Sequence, residues 1–305
     1  IVNTVQTAKN NPGLLSLSDL SAYAVKERPA LCTKFRDYEV CGMGPPSSGA
    51  LTVGQILGMI NRFSVGKPYD TQTLRLMGDA SRLAFADRGR YVADSDFVPV
   101  PSNELVSEHY LASRASLLSG TNALQNVKPG NPDFLHALLW ADDKSLEFPS
   151  TSHISIVDSY GNALSMTSTI ENAFGSRLIT NGFLLNNELT DFSFKSHRSG
   201  VPIANRIEPG KRPRSSMSPT IVLRDNRPVL VIGSPGGSRI IGYVVRAIVA
   251  HLDWGMNVQR AVSMPHAVNR FGTYDLESGT HLQNLKEPLE TLGYKVKMIP
   301  LNSGL

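Results

Sequence analysis

The sequence has no apolar run long enough to cross a membrane and no recognisable signal peptide. A transmembrane helix needs about 20 consecutive, mostly apolar residues, and every apolar stretch of this chain is shorter. The first residues, IVNTVQTAKNNPGLLSLSDL, are typical of the inside of a domain. We therefore predict no membrane span.

The chain also has little excess of charge of one sign. It has 30 Lys and Arg residues against 26 Asp and Glu residues, and its sequence pI is ≈ 9.0. The basic residues are scattered and are not interleaved with aromatic residues, so nucleic-acid binding is not predicted. The contents of hydrophobic residues (41%) and charged residues (18%) are typical of a globular protein, and 305 residues suffice for one large domain or two ordinary ones.

Motifs of several catalytic and ligand-binding classes are absent. There is no GxSxG nucleophile elbow, no HExxH and no Cys/His cluster. Asp94 and Asp96 lack the remaining ligands of an EF-hand. Neither GxGxxG nor a P-loop lysine motif occurs. We therefore predict neither a metal nor a cofactor.

Cysteine is scarce, and its two positions are informative. Cys32 and Cys41 lie in PALCTKFRDYEVCGMG, a pattern that predicts strand, turn and strand. A two-residue turn at Arg36 and Asp37 would place the two cysteines opposite each other, at a separation that a disulfide tolerates. Two small buried thiols are the alternative.

The predicted secondary structure changes near the middle of the chain. Residues 1–150 are predicted to be mainly helical, and residues 151–305 are rich in strand patterns. The pattern predicts α+β structure with antiparallel hairpins rather than a doubly wound parallel sheet. The predicted helices are ALTVGQILGMINRF, with Ser47 and Ser48 as possible caps, TQTLRLMGDASRLAFADRGRYV, SNELVSEHYLASRASLL, PDFLHALLW, an apolar helix that follows the glycines of GGSRIIGYVVRAIVAHLDWG and ends near Gly255, a short one in AVSMPHAV, and the first part of EPLETLGYKVKMIP.

A hairpin is predicted at the start of the second half, over HISIVDSYGNALSMTST. A turn centred on Tyr160 and Gly161 would place Thr151 opposite Ile170 and Thr169 opposite Ser152. The hydroxyls of Thr151 and Thr169 would then lie within one position of each other. Threonine is common in strands, so the pair is unremarkable by itself.

Two further groups of residues could form a site or merely turns. In GSPGGSR, the N–H groups of Gly236 and Gly237 follow a strand and precede a helix, so they could bind an anion as a phosphate cradle or an oxyanion hole. Polar residues also cluster where strands end: Asn186, Asn187, Glu188 and Asp191 in LLNNELTDF, and Ser215, Ser216 and Ser218 in KRPRSSMSP.

These segments resemble a known family. TSHISIVDSYGNALSMTSTIE, GFLLNNELTDFS, PGKRPRSSMSPTIVL and GSPGGSR resemble small-subunit motifs of the γ-glutamyltranspeptidase family, and PPSSGALTVGQIL and ASRLAFADRGRYV resemble the end of its large subunit. The resemblance implies a four-layer αββα sandwich of the N-terminal nucleophile hydrolase type. It makes 1–150 the C-terminal part of the large subunit and 151–305 the small catalytic subunit, together one composite domain.

The resemblance also implies roles for the candidate residues. The precursor is expected to cut itself before Thr151, which would supply both the nucleophilic hydroxyl and, once freed, an α-amine as its base. Thr169 would hydrogen-bond the nucleophile. The remaining assignments are Gly236 and Gly237 to the oxyanion hole, Ser215 and Ser216 to the substrate α-carboxylate, and Glu188 and Asp191 to its α-ammonium.

One position departs from the family pattern. The family often has Asn two residues after the second threonine, whereas this chain has Glu171. A carboxylate could still bind an ammonium group, but a glutaryl or cephalosporin-type acylase is an alternative, as is a catalytically silent binding protein of the same fold.

The expected partners are a γ-glutamyl substrate such as glutathione and an acceptor amino acid, dipeptide or water, together with the two subunits of one precursor. The expected location is periplasmic or extracellular. Because part of the family's large subunit lies outside the 305 residues, the resemblance leaves open whether this piece is active alone.

Overall fold

The computed structural model describes residues 1–133, 139–143, 145, 150–301 and 303–305. The helix predicted over PDFLHALLW falls mostly outside the described residues. The α-helices are α1 (Val2–Gln6), α2 (Leu17–Ala22), α3 (Gly49–Ile60), α4 (Thr71–Tyr91), α5 (Ser102–Leu105), α6 (Glu108–Ser116), α7 (Ile240–Leu252), α8 (Val258–Val262) and α9 (Lys286–Thr291).

Strands dominate the second half, and short 3-10 helices connect some of them. The strands are β1 (Ala30–Phe35), β2 (Tyr38–Met43), β3 (Thr151–Val157), β4 (Ala163–Thr169), β5 (Ile179–Thr180), β6 (Phe183–Leu184), β7 (His197–Arg198), β8 (Val201–Pro202), β9 (Thr220–Arg224), β10 (Arg227–Ile232), β11 (Ala267–Asn269), β12 (Thr273–Glu277) and β13 (Lys295–Ile299). The 3-10 helices are Leu117–Ser119, Glu188–Asp191, Gly237–Arg239 and His281–Leu285.

The central sheet is antiparallel, in the order β1-β2-β9-β10. Its two hairpins have tight turns, and Asp225 and Asn226 between β9 and β10 both have positive φ, as two-residue hairpin loops favour. Helix α3, all of whose residues are buried, packs against β1, β2, α4, α6 and α7. The helix is mostly apolar because the core surrounds it, although its buried Gln55 donates to the Asp87 carboxylate. A second, three-stranded sheet, β11-β12-β13, includes the parallel pair β12 and β13.

The hairpin of β3 and β4 packs against β9 and β10. The Ser165 hydroxyl fixes this contact, since it donates to the carbonyl of Ile232 and accepts from the N–H of Thr220. The α+β prediction is therefore confirmed: helices, the central sheet and the hairpin pack together. The side of the hairpin that carries Thr151 and Thr169 is half-buried, whereas its other side exposes Ile154, Ile156, Leu164 and Met166.

The predicted register of this hairpin is wrong by one position. Thr151 faces Thr169, not Ile170, and Ser152 faces Ser168. The loop has three residues between Asp158 and Asn162, since the Asp158 N–H donates to the Asn162 carbonyl. Gly161, at φ 87°, and the Asp158 carboxylate, which accepts from two loop N–H groups, favour this longer turn.

Three smaller expectations also change. The helix predicted over SNELVSEHYLASRASLL is interrupted, because Ser107 caps α6 through a bond to the Tyr110 N–H. Most of NGFLLNNELTDF is irregular or 3-10 structure, with only a short strand. AVSMPHAV ends α8 and then enters β11, since Pro265 cannot continue a helix. Among the described residues, no helix is both long and apolar enough to cross a membrane.

The sequence left open whether Cys32 and Cys41 form a disulfide or two buried thiols, and the structure shows the disulfide. Cys32 pairs with Cys41 in the β1–β2 register, and their sulfur atoms are bonded. The turn lies at Arg36 and Asp37, as expected. The bridge therefore closes the first hairpin and anchors the edge strand of the central sheet.

We predict that replacing both Cys32 and Cys41 by Ala lowers the free energy of unfolding by about 2–3 kcal/mol, because the bridge restricts a short loop in the unfolded chain. Urea denaturation of the oxidised protein and of the double variant would measure the difference. Dithiothreitol should destabilise only the parent. An unchanged unfolding midpoint in both comparisons would show that the bridge contributes no stability.

Candidate functional site

A chain of hydrogen bonds lies at the start of the β3–β4 hairpin. The Thr151 hydroxyl donates to Thr169 Oγ1 at 3.3 Å, and the Glu171 N–H donates to the same oxygen at 2.9 Å. Thr169 donates its own hydrogen to the carbonyl oxygen of Ser150 at 2.5 Å. The hydroxyl of Thr169 thus connects the Thr151 hydroxyl with the carbonyl of the peptide bond that precedes Thr151.

Most of the predicted site residues line one small cavity beside this hydrogen-bond chain. Gly236 lies in a second cavity of about 240 Å³, which also includes Thr151 and therefore adjoins the first. Glu188 begins the 3-10 turn that ends at Asp191, and it lies outside both linings. The predicted residues that line the first cavity are Thr151, Thr169, Glu171, Asp191, Ser215, Ser216 and Gly237.

Glu171 is held in an unusual conformation at the floor of the site. Its φ is 71°, which is rare for a residue with a long side chain, and the residue is 3% exposed. The Asn187 amide donates to the Glu171 carboxylate. Asn187 also accepts from the Asn172 N–H, and its own N–H donates to the Ile170 carbonyl. The sequence places Asn187 in the polar cluster of LLNNELTDF but assigns it no role, and the structure makes it the partner of Glu171.

The two serines are fixed by the segment that precedes α3. The Ser48 N–H and hydroxyl both donate to the Ser215 carbonyl at 2.7 Å, and the Ser215 N–H donates to the Pro46 carbonyl. Ser215 Oγ accepts from the Met217 N–H, and Ser216 Oγ accepts from Arg88. Both hydroxyl oxygens therefore already accept a hydrogen bond.

The glycine loop has backbone angles that side chains resist. Gly236 has φ 138° and Gly237 has φ 58°. A Cβ on Gly236 would lie 2.7 Å from the ring of Tyr243, which rules out a larger residue without movement of that ring. Burial raises the pKa of the Tyr243 hydroxyl to about 12, so it is neutral at pH 7.

A cluster of charged side chains also supports the glycine loop. The Asp275 carboxylate accepts from both Arg239 and Arg270, at 3.0–3.1 Å. Arg270 also donates to the hydroxyl of Ser238, the residue after Gly237, at 2.6 Å. The loop is thus tied to β12, and Arg239 reaches the lining of the larger cavity. The sequence reasoning missed all three charged residues.

His153, next but one to Thr151, has a local role, as expected. Its two ring nitrogens contact the hydroxyls of Thr167 and Ser155, and its ring packs over the backbone of Gly233. Burial lowers the pKa of His153, so the ring is neutral at pH 7. In the part of the chain that the structure describes, no group of three His, Cys, Asp or Glu side chains could hold a metal.

The site thus combines a threonine at the start of a strand, a second threonine facing it and a glycine loop beside both. The family described as Gamma-glutamyltranspeptidase matches residues 1–304. The chain belongs to this family.

Similar proteins include both hydrolases and acylases. The chain is 37% identical over 310 residues to the glutathione hydrolase proenzyme of Escherichia coli (strain K12), covering 96% of this chain and 51% of that protein. It is 31% identical to the acylase ACY 1 proenzyme of Pseudomonas sp. (strain V22), covering 96% and 50%. The solved cephalosporin acylase of Bacillus halodurans shares the fold, with a TM-score of 0.81 at 20% identity over 98% of this chain and 51% of that one. The chain thus spans about half the length of these proteins.

We predict that Gly236→Ala destabilises the protein by about 1–3 kcal/mol and displaces the loop, because alanine disfavours φ 138° and its Cβ meets Tyr243. Gly161→Ala is the matched control, since Gly161 also has positive φ but has open space around it. Thermal unfolding would compare the two variants. A smaller loss for Gly236→Ala than for Gly161→Ala would contradict the tight packing.

Proposed function

We propose that the protein containing this chain transfers or hydrolyses γ-glutamyl groups through an acyl ester on Thr151, after cleavage of the Ser150–Thr151 peptide bond. The observation that carries the proposal is the bond from Thr169 to the Ser150 carbonyl, made while Thr169 accepts from Thr151. One hydroxyl thus contacts both the attacking oxygen and the carbonyl that it would attack.

Cleavage would proceed as an N→O acyl shift. The Thr151 oxygen attacks the Ser150 carbonyl carbon, and its proton passes to the Thr151 nitrogen as the C–N bond breaks. The product is an ester between Ser150 and the Thr151 side chain. Water then hydrolyses the ester, which leaves a Ser150 carboxylate and a free Thr151 amine. Thr169 would stabilise the negative charge that develops on the Ser150 oxygen.

The freed amine would act as the base in substrate turnover. An α-amine has a reference pKa near 8 and lies on the same residue as the hydroxyl that it activates. The hydroxyl oxygen attacks the γ-amide carbon, and the N–H groups of Gly236 and Gly237 would bind the oxyanion. The leaving amine takes a proton and departs. Water or an acceptor amine then attacks the acyl-Thr151 ester and restores the hydroxyl.

The donor's two α-substituents would bind to different side chains of the cavity. Ser215 and Ser216 present hydroxyls that suit the α-carboxylate. Glu171 and Asp191 present carboxylates to the same cavity and suit the α-ammonium. Glu188, in the same 3-10 turn as Asp191, would contribute from outside that lining.

Two subunits of one precursor, ending at 150 and beginning at 151, would form one composite domain. The side of the hairpin with Ile154, Ile156, Leu164 and Met166 is exposed here, and burial of such a surface by further chain would be favourable. The Cys32–Cys41 disulfide supports a periplasmic or extracellular location, since disulfides persist in oxidising compartments.

A glutaryl or cephalosporin-type acylase is the second candidate. The glutaryl group resembles the γ-glutamyl group without its ammonium. The acylase named above is 31% identical to this chain, and Glu171 alters the side of the site that would bind the ammonium. A silent binding protein of the same fold would leave the Ser150–Thr151 bond uncut.

We predict that Thr151→Ala leaves the precursor uncut and inactive, because the attacking hydroxyl is lost. Thr151→Ser should cut and turn over more slowly, since serine lacks the methyl group that restricts χ1. Ser152→Ala, at the exposed neighbouring position, should cut normally. A denaturing gel would count the pieces. Two pieces from Thr151→Ala would refute the nucleophile assignment.

We predict that Glu171→Ala weakens transition-state binding of γ-glutamyl anilide by about 2 kcal/mol or more, because a buried cation loses its partner. Glutaryl anilide lacks that cation and should be affected less. Values of kcat/KM for both anilides would measure the difference, with Glu171→Gln as a variant that removes charge but keeps size. Equal losses for the two anilides would argue against ammonium recognition.

A further inference from the structure

Arg88, on α4, is a buried residue whose contacts lead into the site. It is 1% exposed. Its Nε donates to Ser48 Oγ at 2.7 Å, and its Nη2 donates to Ser216 Oγ at 2.6 Å. One rigid guanidinium therefore joins the segment before α3 to the serine pair that lines the cavity with Thr151.

The direction of these bonds follows from the chemistry of arginine. A guanidinium has hydrogen-bond donors and no acceptor, so both serine oxygens must accept from Arg88. Ser48 uses its own hydrogen on the Ser215 carbonyl at 2.7 Å. Ser216 accepts from Arg88 and lines the cavity, so its hydroxyl hydrogen remains to donate to a ligand there.

The Ser215 hydroxyl makes hydrogen bonds in the same direction as that of Ser216. Its Oγ accepts from the Met217 N–H at 3.2 Å, and it lines the same cavity. Two adjacent hydroxyls whose oxygens already accept are arranged to donate, which suits a carboxylate and disfavours an ammonium group. A charged donor polarises the hydroxyl that accepts from it, so Arg88 strengthens the bond that Ser216 can donate.

We propose that Arg88 is a positioning residue that sets the selectivity of Ser215 and Ser216 for the carboxylate of the acyl donor. It acts on Ser216 directly and on Ser215 through Ser48. The inference rests on the proposed γ-glutamyl function. Lysine could not replace it, because one ammonium cannot reproduce two bonds from different nitrogens of a planar group.

The test uses three anilides that differ in the charged groups of the acyl chain. The γ-glutamyl group has a carboxylate and an ammonium, the glutaryl group has the carboxylate alone, and the 4-aminobutyryl group has the ammonium alone. Arg88→Gln should lower kcat/KM about tenfold or more for the two donors with a carboxylate, mainly through KM. The 4-aminobutyryl anilide should change by less than about threefold.

Arg114→Gln is the matched control, since Arg114 is also a buried arginine, on α6, and it pairs with Asp87 instead of the serines. It should lower stability without changing the ratio between the anilides. Ser48→Ala, which leaves the Arg88–Ser216 bond in place, should shift the ratio in the same direction by a smaller factor, and it serves if Arg88→Gln does not fold. Equal losses on all three anilides, or none, would overturn the proposal.

A binding measurement separates this proposal from the proposed reaction. Glutarate should raise the thermal unfolding midpoint of the parent protein, whereas Arg88→Gln should lose that shift and Arg114→Gln should keep it. If the parent hydrolyses no anilide but glutarate behaves in this way, the proposed reaction fails and the role of Arg88 stands. Undiminished glutarate binding by Arg88→Gln would overturn that role.

Discussion

The site depends on the direct pairing of Thr151 with Thr169 across the β3–β4 hairpin. Successive side chains of a strand point to opposite faces, so a slip of one position would place the two hydroxyls on different sides. The three-residue loop that ends at Gly161 prevents this slip. Because Thr169 also contacts Ser150, the same register aligns the Thr151 hydroxyl, the Thr169 hydroxyl and the carbonyl that precedes Thr151.

Two residues of the site have strained backbone conformations that the surrounding structure must maintain. Glu171 and Gly236 both have φ values that side-chain-bearing residues avoid. A hydrogen bond from the Asn187 amide holds Glu171 in place, and packing against Tyr243 holds Gly236. Since α7 follows the glycine loop and is buried in the core, the cost of these conformations is offset by packing that lies outside the cavity.

Recognition of the acyl donor would rest on the hydrogen-bond donors and acceptors that line one small cavity. Carboxylates from Glu171 and Asp191 occupy it together with the hydroxyls of Ser215 and Ser216, which Arg88 and backbone contacts bias toward donation. An acyl donor with both an ammonium and a carboxylate on one carbon can bind both the carboxylates and the hydroxyls of the cavity. If Glu171 binds the ammonium group as proposed, the departure at this position would alter preference among acyl donors that share a carboxylate.

The sequence by itself determined the family and most of the longer elements, although it misplaced several short ones. Local patterns predicted the α+β composition and the β1–β2 register, because a tight turn leaves one pairing for Cys32 and Cys41, whereas the structure decided that the two sulfur atoms are bonded. Long motifs that resemble the family supplied the candidate residues. Tertiary structure alone decided how they meet. The loop length after Asp158 set the register of Thr151. Arg88 contacts Ser216 because α4, which is distant from the serines in the sequence, packs against them. Such contacts join residues more than a hundred positions apart, and no local periodicity encodes them.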